Sequence, residues 1–366
     1  MRYAWLIGLA ACAHASSPPS IVPTTEVGTA TYTLVDETRR DPIVTAQPRT
    51  WIVQLYYPSE RTPLHAHYAD DPALVDALVK RQYYDATASE LRGWLAKPGF
   101  AEPGAPARHG SWPVITLSPG LAFARLNYAE LAAHLVARGY VVAVVDHPYL
   151  GVSHVGARFP VPDDDPALQS DNPADSLPRV RDWTHDLSVV LDDLAKTTHV
   201  PGLALDLQRV IATGHSIGGT AAIGACDDPR FRGCMDFEGF VEGIDSLAHG
   251  ARAPVWLAFS RAKGRPATLP PGRSDPMDAI GAQLAAAGQP VWVAKITGGS
   301  HTSFSDCPDV LPTTLSRFGG ELMTSARSFE VYAGLVDAFA RTYAGDQPQA
   351  LATALHSLPE VAATPR

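Results

Sequence analysis

The sequence predicts an α/β fold, a mostly parallel central sheet with helices on both faces. Three observations lead there. From residue 113 onward, short apolar runs alternate with helix-spaced segments, the pattern that crossover helices between parallel strands impose. Tyr140 to Val145 is apolar throughout, as a strand buried on both faces requires. The 366 residues are 46% hydrophobic and only 18% charged, a balance that supplies one large core and excludes a disordered chain.

The elements follow in order. Met1-Arg2-Tyr3 and the apolar run Ala4 to Ala11 read as a secretory signal within residues 1–15, too short to span a bilayer. Leu9-Ala10-Ala11-Cys12 has the form of a bacterial lipobox, and Ala13-His14-Ala15 that of an ordinary cleavage site. The lipobox is preferred because small residues directly precede Cys12. A lipidated Cys12 would hold an exported protein at a membrane surface in the bacterial envelope; ordinary cleavage would release a secreted one. Residues 16–28 are expected as a flexible tether, rich in Ser, Pro and Thr at first. Strands are expected over Thr29 to Val35 and Thr50 to Tyr57. A helical insert is expected at about 60–110, with apolar periodicity in Ala73 to Val79 and Glu90 to Leu95. Trp94, Tyr83 and Tyr84 give it lid-like aromatics, although an ordinary packed excursion is the preferred reading.

Beyond it come a strand at Pro113 to Leu117, a helix at Tyr128 to Ala137 stopped by Gly139, and the strand Tyr140 to Val145. A polar loop spans about 147–178, followed by an amphipathic helix at Arg181 to Lys196. The strand Arg209 to Thr213 feeds a small-residue helix, Ile217 to Ala225. Strands at Phe231 to Phe237, Pro254 to Phe259 and Val291 to Ile296 complete the sheet, with helices at Asp278 to Ala287 and Ser325 to Tyr343. The folded domain is placed at 29–345, with 346–366 as a C-terminal tail.

A net charge of −9 argues against nucleic-acid binding, which needs cations to neutralise phosphates. No apolar run reaches the roughly 18 residues that a spanning helix needs. Protein partners are not indicated. If Cys12 is lipidated, Cys226, Cys234 and Cys307 remain. Cys226–Cys234 and Cys234–Cys307 are both admissible bridges, as are three buried thiols.

Gly214-His215-Ser216-Ile217-Gly218-Gly219 carries the most chemistry. It is a G-x-S-x-G segment between an expected strand and an expected helix, the setting of a nucleophile elbow. Such a turn lifts Ser216 above the sheet, at a helix N-terminus whose dipole favours developing negative charge. A serine hydroxyl needs a general base. Of the histidines downstream, His249 lies in a surface-like segment, whereas His301 sits in the glycine-rich loop after Val291 to Ile296. His301 is therefore the expected base. The supporting acid is expected at the end of Phe231 to Phe237, where Asp236 and Glu238 both stand. Alternation cannot separate residues two apart. Glu238 is preferred because it lies nearer the carboxyl end of the strand, and Asp236 is the reserve. Ile217 N–H is one expected oxyanion donor. The second should come from Ser118-Pro119-Gly120-Leu121-Ala122: Pro119 has no N–H, and Leu121 is preferred, with Ala122 behind it.

These residues resemble the dienelactone-hydrolase-like branch of the α/β-hydrolases, and within it most nearly the plasma-type platelet-activating-factor acetylhydrolase group. Beyond the elbow, the motifs that carry the resemblance are Asp228-Pro229-Arg230-Phe231-Arg232, Phe237-Glu238-Gly239, Pro119-Gly120-Leu121 and Gly139-Tyr140-Val141-Val142. Asp146-His147-Pro148, Trp183-Thr184-His185-Asp186 and Gly298 to Phe304 extend it. The resemblance implies an α/β-hydrolase fold and an exported serine ester hydrolase that acts on short-acyl or phospholipid-type esters through an acyl-enzyme. It also places the acid at Glu238, where the family carries Asp. A small ester or lipid is the implied substrate, and no cofactor or metal is implied. The chain correspondingly has no H-E-x-x-H and no zinc-spaced His/Cys set. General carboxylesterase or polyester hydrolase activity, and a catalytically silent lipid-anchored binding protein, are the alternatives.

Overall fold

A computed structural model of the protein describes residues 26–60, 71–80, 86–170, 172–197, 199–239, 243–261, 276–307 and 322–366. The leader, Cys12, most of the expected tether, Tyr83 and Tyr84 lie outside the described residues.

β1 (Val27–Arg40) and β2 (Pro48–Pro58) form a long antiparallel hairpin. β1 thus includes the last two residues of the expected tether, Val27 and Gly28. Within the insert lie α1 (Pro72–Lys80) and α2 (Ala88–Leu95). Thr87 and Glu90 form a reciprocal capping box that starts α2. Leu74, Leu78, Leu91 and Trp94 are buried in the main core, so the described helices pack as part of the domain. β3 (Glu102–Pro103) pairs with β1.

The chain then alternates. β4 (Ser111–Ser118), α3 (Ala129–Val136) and β5 (Val141–Asp146) precede a loop with two 3-10 turns. α4 (Leu177–Leu194) starts four residues before the expected Arg181, because Pro178 suits the first turn of a helix. β6 (Ala204–His215), α5 (Ile217–Ala225), β7 (Phe231–Phe237), α6 (Ser246–His249) and β8 (Val255–Arg261) follow. α7 (Pro276–Ala285), β9 (Val291–Thr297) and α8 (Ser325–Tyr343) come next.

The expected tail is a correction. Residues 346–366 include α9 (Ala350–Ser357) and β10 (Val361–Pro365), and β10 pairs antiparallel with β9, Val361 opposite Ile296. Leu351, Leu358 and Val361 are buried, and this apolar contact holds the segment against the domain. Val291–Thr297 is therefore the last parallel strand rather than the sheet edge.

Among the described residues the sheet has ten strands in the order β10-β9-β8-β7-β6-β4-β5-β2-β1-β3. The six from β9 to β5 run parallel, and β2 returns antiparallel to β5. Every residue of β5 is buried, with Val142 and Val144 in one core and Val141, Ala143 and Val145 in the other. That two-sided burial is what the apolar run Val141 to Val145 calls for. Cys226, just after α5, is bonded to Cys234 in β7. Cys307 is not in a disulfide; its buried sulfur accepts a hydrogen bond from Asn127 Nδ2 at 3.3 Å. The Cys234–Cys307 alternative is excluded.

Candidate active site

Parallel strands place their carboxyl ends, and the loops after them, on one rim. Ser216, Glu238 and His301 follow β6, β7 and β9 in turn and share that rim. Ser216 sits at φ 54° and ψ −133°, a conformation strained for a residue with a side chain. Its N–H donates to Phe237 O at 2.8 Å, tying the turn to β7. The glycines around it permit close packing: a Cβ on Gly218 would fall 2.0 Å from Pro119 O. Ser216 and Ile217 stay partly exposed, while the residues on both sides are buried.

His301 is held by its backbone. Gly298 N–H donates to Arg261 O at 2.6 Å, and His301 O accepts from His215 Nε2 at 2.6 Å. The two imidazole centroids are 4.9 Å apart. Asp306 N–H donates to Asn127 O at 2.7 Å, fastening the far end of the loop to the start of α3. Burial holds the His301 imidazole below its ordinary value, which favours the neutral base.

Glu238 and Asp236 part company. Glu238 adopts φ 67°, which ends the strand alternation on which their shared face depended. Its Oε1 accepts from Ser260 N–H at the end of β8. Ser260 Oγ lies 2.5 Å from Tyr332 OH, and a Cβ on Gly299 would fall 2.6 Å from that same Oγ. The carboxyl is thus anchored beside the loop that bears His301. Burial pushes Glu238 up to about 7. Asp236 is fully buried, with Oδ1 accepting from Gly239 N–H at 2.9 Å; Oδ2 has no partner among the described residues. Burial raises its pKa well above the ordinary carboxylate value, which favours the neutral acid. Among the described residues, His301 makes no side-chain hydrogen bond to Ser216 or Glu238. The structure brings the three to one rim without closing those bonds.

In the loop after β4 the expected oxyanion donors differ in their hydrogen bonds. Gly120 N–H donates to Tyr128 OH at 2.9 Å, and Ala122 N–H to Leu150 O at 2.7 Å. Leu121 N–H between them, and Ile217 N–H at the start of α5, make no hydrogen bond among the described residues.

A second serine–histidine–aspartate set was not assembled from the sequence. Ser118 Oγ lies 3.0 Å from His147 Nε2, and His147 Nδ1 lies 2.8 Å from Asp186 Oδ2. Asp186 also accepts from Arg49 at 2.6 and 2.7 Å and from Arg39 at 2.6 Å. Burial alone would raise its pKa, but Arg49 and His147 outweigh burial and hold it below the carboxylate range. Ser118, His147 and Asp186 are all 0% exposed, so no substrate carbonyl reaches Ser118 Oγ. Asp146-His147 and Asp186 were visible as motifs, but their meeting depends on α4 crossing the sheet.

A parallel sheet with an antiparallel β2, helices on both faces and a serine at a strained strand–helix junction define the α/β-hydrolase fold. No protein-family model matches the chain. Over 86 residues, 23% of its length, it is 42% identical to the α/β hydrolase psoB of Aspergillus fumigatus, and it spans 19% of that curated relative. Over 95% of its length it is similar to a solved ferulic acid esterase from Streptomyces cinnamoneus, covering 98% of that chain with a TM-score of 0.74 and 27% identity.

Proposed function

We propose that the protein is a serine carboxylic-ester hydrolase. The observation that carries this reading is Ser216, partly exposed at φ 54° on the rim that also bears the Leu121 and Ile217 amides, neither of which has an acceptor among the described residues. In the proposed reaction, His301 takes the Ser216 hydroxyl proton as Oγ bonds to the ester carbonyl carbon. The carbonyl electrons move to oxygen, where the two amides stabilise them. Collapse expels the alcohol, which takes the proton back from His301, and leaves an acyl-Ser216. Water repeats the sequence and releases the acid. Ionised Glu238 supports the imidazolium and fixes its tautomer without taking its proton. The His301 bonds to Ser216 and Glu238 would close as substrate enters.

A short-acyl or phospholipid-type ester is the substrate class that the sequence resemblance supports. A second reading, an aromatic-acyl ester, is favoured by the ferulic acid esterase neighbour, which matches nearly the whole chain. Hydrolysis of nitrophenyl acetate, an acetyl phospholipid and methyl ferulate, each with Ser216→Ala as control, tests both. Turnover of the first two with little of the third supports the acetylhydrolase-like reading; the reverse supports the second. Turnover that survives Ser216→Ala overturns the proposed nucleophile.

Export is proposed as well. The Cys226–Cys234 disulfide suits an oxidising compartment. The mass of the mature N-terminus tests the route. A diacylglyceryl group on Cys12 would show a lipoprotein, and cleavage after Ala15 a secreted protein.

A further inference from the structure

Two ring side chains with no part in bond making join the loops on either side of Ser216. Gly120 N–H donates to the Tyr128 hydroxyl oxygen at 2.9 Å, and that oxygen lies 2.8 Å from His215 Nδ1. His215 Nε2 in turn lies 2.6 Å from the carbonyl oxygen of His301. A carbonyl only accepts, so Nε2 carries the proton. Nδ1 is then the lone-pair nitrogen, and Tyr128 must donate to it. Each joint has one direction: Gly120 N–H to Tyr128, Tyr128 O–H to His215, His215 N–H to His301. Both rings are 0% exposed. Phe123 meets the His215 ring edge-on at 4.9 Å, which restricts its rotation. Burial, with the charge of His301 behind it, pushes the His215 imidazole down to about 3. It therefore stays neutral while His301 becomes an imidazolium.

The geometry points to Tyr128 and His215 as positioning residues that hold the Leu121 amide and the His301 loop in register across Ser216. This inference rests on the hydrolysis proposed above. Tying up Gly120 N–H fixes the peptide plane just before Leu121, so that the next amide is left for the oxyanion. Holding the His301 carbonyl fixes the backbone from which the base projects. A misplacement of about 1 Å at either point would cost on the order of 100-fold in rate.

The test uses a fluorophosphonate to titrate active sites, so that losses from misfolding drop out. Per titrated site, Tyr128→Phe is expected to lower kcat about 10- to 100-fold with KM within about twofold. Affinity for a trifluoromethyl ketone, which forms an oxyanion on Ser216, should weaken in parallel. His215→Gln, which keeps a donor for the His301 carbonyl, should stay faster than His215→Ala. Rates per site within about twofold of wild type for Tyr128→Phe and His215→Ala, or a loss confined to KM, would overturn the inference. Should Tyr128→Phe not fold, the His215 pair decides: equal rates for Gln and Ala overturn it. Wild-type protein that takes no label at Ser216 would instead overturn the nucleophile assignment and this inference with it.

Discussion

Asp236 and Glu238 stand two residues apart, yet one is sealed beneath the nucleophile turn and the other faces the end of β8. The sequence restricted the acid to these two and preferred Glu238, but strand alternation could not choose. What gives the two carboxyls different surroundings is the left-handed backbone at Glu238, which no residue type there announces. In the proposed reaction Glu238 must be ionised, so kcat should rise with pH through about 7 and level above it. Glu238→Gln should lower kcat by roughly 100-fold or more, and Asp236→Asn by much less. The reverse order in a pH–rate comparison would move the acid to Asp236. Stability runs the other way. Folding raises the Glu238 pKa from 4.5 to about 7, so the folded chain keeps a proton that the unfolded chain releases. Stability therefore falls as pH rises between those values, by roughly 3 kcal/mol, and is then constant. Glu238→Gln should remove that loss, and denaturant unfolding at pH 5 and pH 8 would show it as a gain at pH 8 only.

At the scale of elements, the Ser118–His147–Asp186 set acts as a strut. It ties the end of β4 and the start of the oxyanion loop to β5 and α4, and Arg49 extends it to β2. Removing the Asp186 charge leaves Arg49 buried without its main counterion. Asp186→Asn should therefore cost about 3–5 kcal/mol in chemical denaturation. Ser118→Ala, which deletes one hydrogen bond, should cost only about 1–2 kcal/mol and leave turnover in place. The Cys226–Cys234 bridge, whose cysteines stand eight positions apart, ties the end of α5 to β7. Its replacement by alanines should cost roughly 2–3 kcal/mol. Elements with strong periodicity or uniform apolarity, such as α4, α8 and β5, were legible in the sequence. α9 and β10 were not. Each is short, and β10 owes its strand form to β9 beside it rather than to its own Val361-Ala362-Ala363-Thr364-Pro365 pattern.

For the whole molecule, alternation from residue 113 fixed the class of fold because a parallel sheet demands a crossover between strands. The same constraint put the ends of β6, β7 and β9 on one rim, which is why sequence order alone could group Ser216, Glu238 and His301 as one candidate site. What the order could not show is the contact set between loops: Tyr128 reaching back to Gly120, or His147 meeting Ser118. Those depend on side-chain directions that the order of elements does not specify. The account as a whole rests on Ser216 being the nucleophile, and the most direct measurement is peptide mass mapping of fluorophosphonate-treated protein. One adduct is expected, on the peptide containing Ser216, present in Ser118→Ala and absent in Ser216→Ala. An adduct on Ser118, or none on a folded protein, would contradict it.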